Sequence, residues 1–187
     1  MVSSSNTAQA RPSTPRLYSV LPPAARPSLG WGVVLAVVVV IAGLSALRLL
    51  YLASSEGLQL SQDEAHYWDW SRHLDWSYYS KRLPAVVCSA LTLLGLAVLT
   101  WQVTRRDVLV LLVTAVVGTY PAFAAGALLM TIDAPFLCCW TWALVVAHHL
   151  LFGAAPGYGH WVSLGLIIGL GILAKYTMVL FIPALGL

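Results

Sequence analysis

Long apolar runs are the feature that most constrains the fold of this chain. The first run covers residues 31–53 and contains one charged residue, Arg48. A helix of about 20 apolar residues is long enough to cross the hydrocarbon core of a membrane. Further apolar runs follow at residues 83–101, 108–130, 134–152, 161–174 and 176–187. The sequence therefore predicts an all-α, polytopic transmembrane helix bundle of about five to six spans. Gly118 and Pro121 lie inside the third of these, which we expect to be bent.

Composition supports a membrane protein and excludes some other classes. Charged residues make up 9% of the 187 residues and hydrophobic residues 59%, whereas a soluble domain carries about 25% charged residues. The net charge of +3 is small, and the basic residues form no stripe of the kind that binds nucleic acid. The cysteines lie in apolar runs without metal-ligand or disulfide spacing. We therefore expect membrane lipids, and no nucleic acid, among the partners.

Charges between the apolar runs predict the orientation of the bundle. Residues 1–30 are rich in Ser, Pro, Ala and Arg and contain no acid, so we predict a disordered cytoplasmic tail there. Arg105 and Arg106, between the second and third runs, also favour the cytoplasmic side. Residues 54–82 hold most of the acids of the chain and are predicted to form an outer, extracytoplasmic amphipathic loop. The chain is thus predicted to consist of this tail and a membrane domain of residues 31–187, which includes the outer loop.

The outer loop contains the densest group of ionisable and aromatic residues. Its segment 60–81 reads LSQDEAHYWDWSRHLDWSYYSK. In one interpretation it is an interfacial helix whose Trp and Tyr side chains lie among lipid headgroups and whose acids are simply hydrated. In the other, a carboxylate acts as general base beside a membrane-bound substrate. These residues alone slightly favour the first interpretation.

Three more charged residues stand next to apolar runs, and each has two interpretations. Lys81 either extends towards the headgroups or binds a lipid phosphate. Thr131 or Asp133 either caps the fourth helix, with Pro135 in its first turn, or the acid has a role or a partner. Lys175 has apolar residues on both sides, which favours a cavity-lining function over a simple anchor.

Counting spans brings these charges together. If each apolar run crosses the membrane once, the acidic pair of the outer loop, Lys81, Asp133 and Lys175 all fall at the same outer face. Charged residues distributed at random along the chain would lie at both faces of the membrane. The sequence therefore predicts one functional cavity at that face.

Four segments in order resemble a known family of membrane enzymes. They read DEAHYWDWSRHLDWSYYSK, RLPAVVCSALTLLGLAVL, MTIDAPFLCCWTWAL and GLGILAKYTMVLFIPAL. Their order and spacing resemble glycosyltransferase family 39, which includes protein O-mannosyltransferases and aminoarabinose transferases, over about residues 31–187. The resemblance implies a partial GT-C fold with its active site at the extracytoplasmic face. We expect a bacterial inner membrane as the location, with an endoplasmic reticulum membrane as the alternative. It also implies transfer of a sugar from a polyprenyl-phosphate-linked donor to an acceptor hydroxyl.

The resemblance further implies roles for individual residues. Asp63 is similar to the base that deprotonates the acceptor hydroxyl, with inversion at the sugar carbon. Glu64 resembles its partner, or a ligand for a divalent metal ion in members that use one; no other cofactor is implied. Asp133 matches an acid that orients the acceptor or a basic residue. The implied set is catalytic Asp63, Glu64 and Asp133, phosphate-binding Lys81, Lys175 and Tyr79, and accessory His66 and Tyr67.

The chain departs from the family pattern in two places. In relatives some tens of residues separate the element matching Lys81 from the following Arg-Leu-Pro, whereas here Arg82 follows directly; the chain also ends inside an apolar run. We therefore expect an N-terminal fragment with an internal deletion, and no activity from the chain as given. The alternative is a non-catalytic small membrane protein, such as a transporter subunit or scaffold, or an inactive remnant. The lack of an inverted repeat disfavours a transporter.

Overall fold

All the regular secondary structure in the described part of the chain is helical. A computed structural model describes residues 28–54, 78–129, 131–153 and 157–186, with side chains from residue 83 onward in the second segment. No strand occurs within these ranges. The predicted all-α fold is therefore confirmed. Most of the predicted tail and most of the outer loop lie outside the described residues.

The helices follow the apolar runs closely. They are α1 (Trp31–Ala53), α2 (Tyr78–Thr104), α3 (Asp107–Thr119), α4 (Pro121–Gly126), α5 (Asp133–Phe152), α6 (Tyr158–Ala174), a 3-10 helix (Tyr176–Leu180) and α7 (Phe181–Ala184). By length and composition, α1, the segment Leu83–Thr104 of α2, and α5 can each cross a membrane, whereas α3 and α6 are shorter apolar helices. The chain is thus a multi-pass integral membrane protein.

The second helix begins inside the predicted outer loop, although its membrane-spanning segment begins at Leu83, as expected. Helix α2 already begins at Tyr78 and continues through Pro84, so the last residues of the predicted loop are helical. Apart from Pro84, this part of the sequence contains no residue that strongly disfavours a helix. As a result, Lys81 and Arg82 are joined to the second span by continuous helix.

The third apolar run, which was predicted to be bent, is broken into two helices. Helix α3 ends at Thr119, and Tyr120 is extended, with φ −61° and ψ 126°. Pro121 then occupies the first turn of α4, a position where its missing N–H costs little. The break leaves carbonyl groups at the end of α3 without their usual helical partners.

The long helices alternate in direction along the chain when α3 and α4 are counted together as one interrupted run, and the bundle therefore has two distinct ends. Near the turn between α2 and α3, Val37 packs with Ala97 and Val110. We call this the Arg105 end, after the residue that follows α2. At the opposite end, α1 and α6 finish while α2 and α5 begin; we call it the Asp133 end. Helix α5 runs parallel to α2, and the Trp142 indole N–H donates to the Leu91 carbonyl at 3.1 Å.

Close contact between α2 and α5 depends on Gly95. A Cβ atom at this position would lie 2.9 Å from Thr141 Cγ2 and 3.4 Å from Trp142 Nε1. Leucine at position 95 is therefore expected to push the helices apart and to destabilise the protein by about 1–3 kcal/mol. Thermal unfolding in detergent measures this loss. Gly169→Leu is the matched control because nothing lies within 4 Å of a Cβ there, and equal stability of the two variants would contradict the prediction.

Candidate active site at the Asp133 end

An ion pair between α5 and the end of α6 marks the candidate site. The Lys175 ammonium donates to Asp133 Oδ1 at 2.7 Å. The two residues are 42 positions apart in sequence and meet because α5 and α6 run antiparallel. The Lys175 side chain is 33% exposed and that of Asp133 55% exposed, so the pair is accessible.

Asp133 is held in the first turn of α5. Its carboxylate lies at the positive end of the helix dipole, which favours a negative charge. The interpretation of Thr131 or Asp133 as a capping residue is wrong. Ile132 occupies the N-cap position and no side chain caps this helix, so the Asp133 carboxylate is available to Lys175.

Lys175 lies at a break between two helical segments. Helix α6 stops because Lys175 is extended, with φ −153° and ψ 121°, although its N–H still donates to the Gly171 carbonyl at 2.9 Å. A cation at a helix C-terminus is favourable. The ammonium also lies 5.6 Å from the centre of the Phe136 ring, a cation–π geometry. Asp133 and Phe136 thus orient the same amino group.

The segment after Lys175 folds back against α5 and α6. Met178 is fully buried and lies so close to Gly171 that a Cβ there would be 2.7 Å from Met178 Cγ. Phe181 meets Trp140 of α5 edge to face, with ring centres 5.1 Å apart. These contacts fix the break from its C-terminal side, so Lys175 has a defined position at the end of the bundle.

The geometry suits recognition of an anion. A lysine ammonium has three N–H donors, and the contact with Asp133 uses one of them. An exposed ion pair contributes only about 0–1 kcal/mol to stability. The pair is therefore a minor part of the fold, and its ammonium can donate to a phosphate oxygen while Asp133 holds it.

The structure brings together some of the predicted site residues and does not describe others. Asp63, Glu64, His66 and Tyr67 lie outside the described residues. The backbone places Tyr79 and Lys81 in the first turn of α2, at the Asp133 end. Among the described residues, no group of three or more His, Cys, Asp or Glu side chains could hold a metal ion. The expected metal ligand, Glu64, is outside that set.

Arg48 is not among the candidate site residues that the sequence indicated. This side chain is only 5% exposed and hydrogen-bonds to Ser89 and to the Gly118 carbonyl. The available signal was an arginine inside an apolar run, together with the helix break that Gly118 and Pro121 predict. Its partners are far away in sequence, and no local pattern identifies them.

Comparison with known proteins assigns the family. The model of the dolichyl-phosphate-mannose-protein mannosyltransferase family matches residues 75–187. The chain therefore belongs to this family of membrane glycosyltransferases, whose members use lipid-linked sugar donors. No curated protein and no solved structure matches the chain. The matched segment includes Lys81, Asp133 and Lys175, whereas Asp63 and Glu64 precede it.

Proposed function

We propose that this chain belongs to a glycosyltransferase that moves a sugar from a polyprenyl-phosphate-linked donor to an acceptor hydroxyl. The site lies at the Asp133 end of the bundle, which faces the extracytoplasmic side. The observation that carries the proposal is the Lys175–Asp133 contact of 2.7 Å within the family-matched segment. It presents a fixed cation where a lipid headgroup would lie.

The proposed reaction needs a base for the acceptor hydroxyl and cationic groups that bind the leaving phosphate. Asp63 takes the proton of the acceptor hydroxyl as its oxygen attacks the anomeric carbon. The bond between that carbon and the phosphate oxygen breaks with inversion, and polyprenyl phosphate leaves. Lys175 and Lys81 stabilise the negative charge that develops on the leaving phosphate. Glu64 acts as a partner of the base in this scheme.

The remaining residues have supporting roles in the proposal. Asp133 fixes the Lys175 ammonium, since a freely rotating lysine would spend little time in the productive geometry. Tyr79 supplies a further phosphate contact from the first turn of α2. His66 and Tyr67 are accessory residues beside the acidic pair.

A donor-consumption assay tests the proposed function. The assay uses an intact version of the gene: membranes from cells with and without it are incubated with polyprenyl-phosphate mannose, and the free polyprenyl phosphate released is quantified by mass spectrometry. Release that depends on the gene is expected, with the sugar recovered on an acceptor. Purified protein in nanodiscs that neither binds polyprenyl phosphate nor consumes the donor would contradict the proposal.

Asp133→Asn is expected to affect binding and turnover in opposite directions. Loss of the carboxylate leaves the Lys175 charge uncompensated, so affinity for polyprenyl phosphate should rise by about fivefold, equivalent to about 1 kcal/mol. Turnover should fall about tenfold because the ammonium is no longer held in position. Fluorescence titration in nanodiscs gives the affinity, and release of polyprenyl phosphate gives the turnover.

The control for this variant is Asp107→Asn. Asp107 lies in the first turn of α3, as Asp133 does in α5, so both substitutions remove the same favourable interaction with a helix dipole. Of these two acids, only Asp133 forms an ion pair with Lys175 in the described structure. Equal effects of the two substitutions would show that the ion pair has no part in the reaction.

A further inference from the structure

Arg48 is a buried charge in an apolar helix. It lies in the last part of α1 and is only 5% exposed. A charged side chain at such a depth is costly unless its N–H groups find partners. The contacts it makes therefore show what it does for the bundle.

The Arg48 guanidinium joins three other helices. Its Nη1 donates to Ser89 Oγ of α2 at 3.0 Å. Its Nη2 donates to the Gly118 carbonyl of α3 at 3.1 Å. The guanidinium carbon also lies 5.6 Å from the centre of the Phe123 ring in α4. One planar group thus bridges α1 to α2 and to both sides of the α3–α4 break.

The helix break explains why the Gly118 carbonyl is available. Its usual partner would be the N–H of Ala122, but the chain is extended at Tyr120, whose own N–H donates to Val117 at 3.2 Å. An unpaired carbonyl in a membrane is costly. Arg48 satisfies it and places a positive charge at the negative end of α3, where the helix dipole favours a cation.

Each helix that Arg48 joins leads into a part of the proposed site. Helix α1 ends at Ala53, shortly before the acidic loop that contains Asp63. Helix α2 begins at Tyr78, and Lys81 lies about two helical turns before Ser89. Helix α4 leads into the segment that ends at Asp133. The guanidinium therefore fixes the relative positions of α1, α2 and the α3–α4 break, to which these groups are joined along the chain.

We propose that Arg48 is a positioning residue that sets the end of α1 against α2 and the α3–α4 break. This inference rests on the proposed function. Arg48 makes none of its described contacts with α5 or α6, which hold the Asp133–Lys175 pair. Loss of Arg48 should therefore displace the end of α1 and the start of α2, which carries Lys81, while the Lys175–Asp133 contact survives.

The test compares turnover with phosphate binding in variants of Arg48. Arg48→Met is expected to lower turnover at saturating donor about 100-fold, as for a displacement of about 1 Å. Its affinity for polyprenyl phosphate should fall much less, by severalfold at most, because Lys175 keeps its contact while Lys81 is displaced. General destabilisation would not separate turnover from affinity in this way. Arg48→Lys should recover about tenfold, because a single ammonium replaces only part of a planar fork of donors.

Two milder changes keep the test valid if Arg48→Met does not fold. Ser89→Ala removes one acceptor of the Arg48 guanidinium and is expected to lower turnover severalfold. Ser163→Ala is the control and should have no effect, since the described hydrogen bond of Ser163 is to the Gly159 carbonyl of its own helix. Arg106→Met is the control for charge loss; Arg106 is exposed at the Arg105 end. Wild-type turnover in both Arg48→Lys and Ser89→Ala would overturn the proposal.

A distance measurement separates this inference from the proposed function. Spin labels at Ala53 and Ala125, both exposed, are introduced as cysteines in a background whose native cysteines are replaced by alanine. A narrow distance distribution should broaden in Arg48→Met and not in Arg106→Met. An unchanged distribution would overturn the positioning role even if the protein proves to be a transferase. Wild-type protein that fails to consume any donor would instead remove the proposed function, and the catalytic part of this inference with it.

Discussion

Asp63→Asn is expected to lower sugar transfer by a factor on the order of 10³. An amide cannot take the proton of the acceptor hydroxyl, so the attacking oxygen stays a poor nucleophile. The affinity for polyprenyl phosphate should remain close to that of the wild type because Lys175, the proposed phosphate-binding residue, is unchanged. Turnover is measured as polyprenyl phosphate released, in membranes adjusted to equal amounts of protein.

Asp69→Asn is the matched control for this substitution. Asp69 lies in the same acidic segment and has no proposed part in the reaction, so the two variants lose the same charge from the same loop. A rate for Asp63→Asn within a few-fold of Asp69→Asn would show that the base has been assigned to the wrong residue. Glu64 would then be the next carboxylate to replace.

Much of the fold follows from the sequence because the membrane allows few alternatives. An apolar run must satisfy its backbone hydrogen bonds internally, so the first run predicted α1 with the bounds Trp31–Ala53 that the structure shows. The break in the third run was predictable for a similar reason. Pro121 cannot donate a backbone hydrogen bond, and its ring disfavours an unbroken helix.

The helix starts depend on local preferences that are weak. Ser77, a residue type that often caps helices, precedes the start of α2 at Tyr78, but polar residues at a membrane surface fit a loop or a helix equally well. The N-cap of α5 is Ile132, although Thr131 and Asp133 have the side chains that usually cap helices. Tertiary contacts override such preferences, and here the Asp133 carboxylate contacts Lys175 instead.

The candidate site, too, could be predicted from the sequence only in part. Counting the membrane spans predicted that Asp133 and Lys175 lie at the same face of the membrane. In the structure the two side chains are in contact. The contacts of Arg48 with residues 41 and 70 positions away could not be predicted, because they depend on how three helices cross. Roles that depend on Asp63 stay predictions, since that part of the outer loop lies outside the described residues.

Lys175→Met is expected to weaken the binding of polyprenyl phosphate about 10- to 100-fold. A hydrogen bond from a charged donor to a phosphate contributes about 1.5–3 kcal/mol. Methionine keeps the length and the apolar stem that pack near Phe136 but lacks the charge. Since the exposed ion pair contributes only about 0–1 kcal/mol to stability, the variant should remain folded, with an unfolding temperature close to that of the wild type.

Titration of nanodisc-embedded protein with polyprenyl phosphate, at low and at high salt, measures this effect. Wild-type affinity should fall as salt screens the ammonium, and the affinity of Lys175→Met should depend less on salt. Arg106→Met, which removes a charge from the opposite end of the bundle, should behave as wild type. The decisive comparison is with Asp133→Asn, for which tighter binding is expected. Weaker binding in both variants would mean that Asp133 and Lys175 maintain the shape of the site together, and Lys175 would not be the phosphate-binding group.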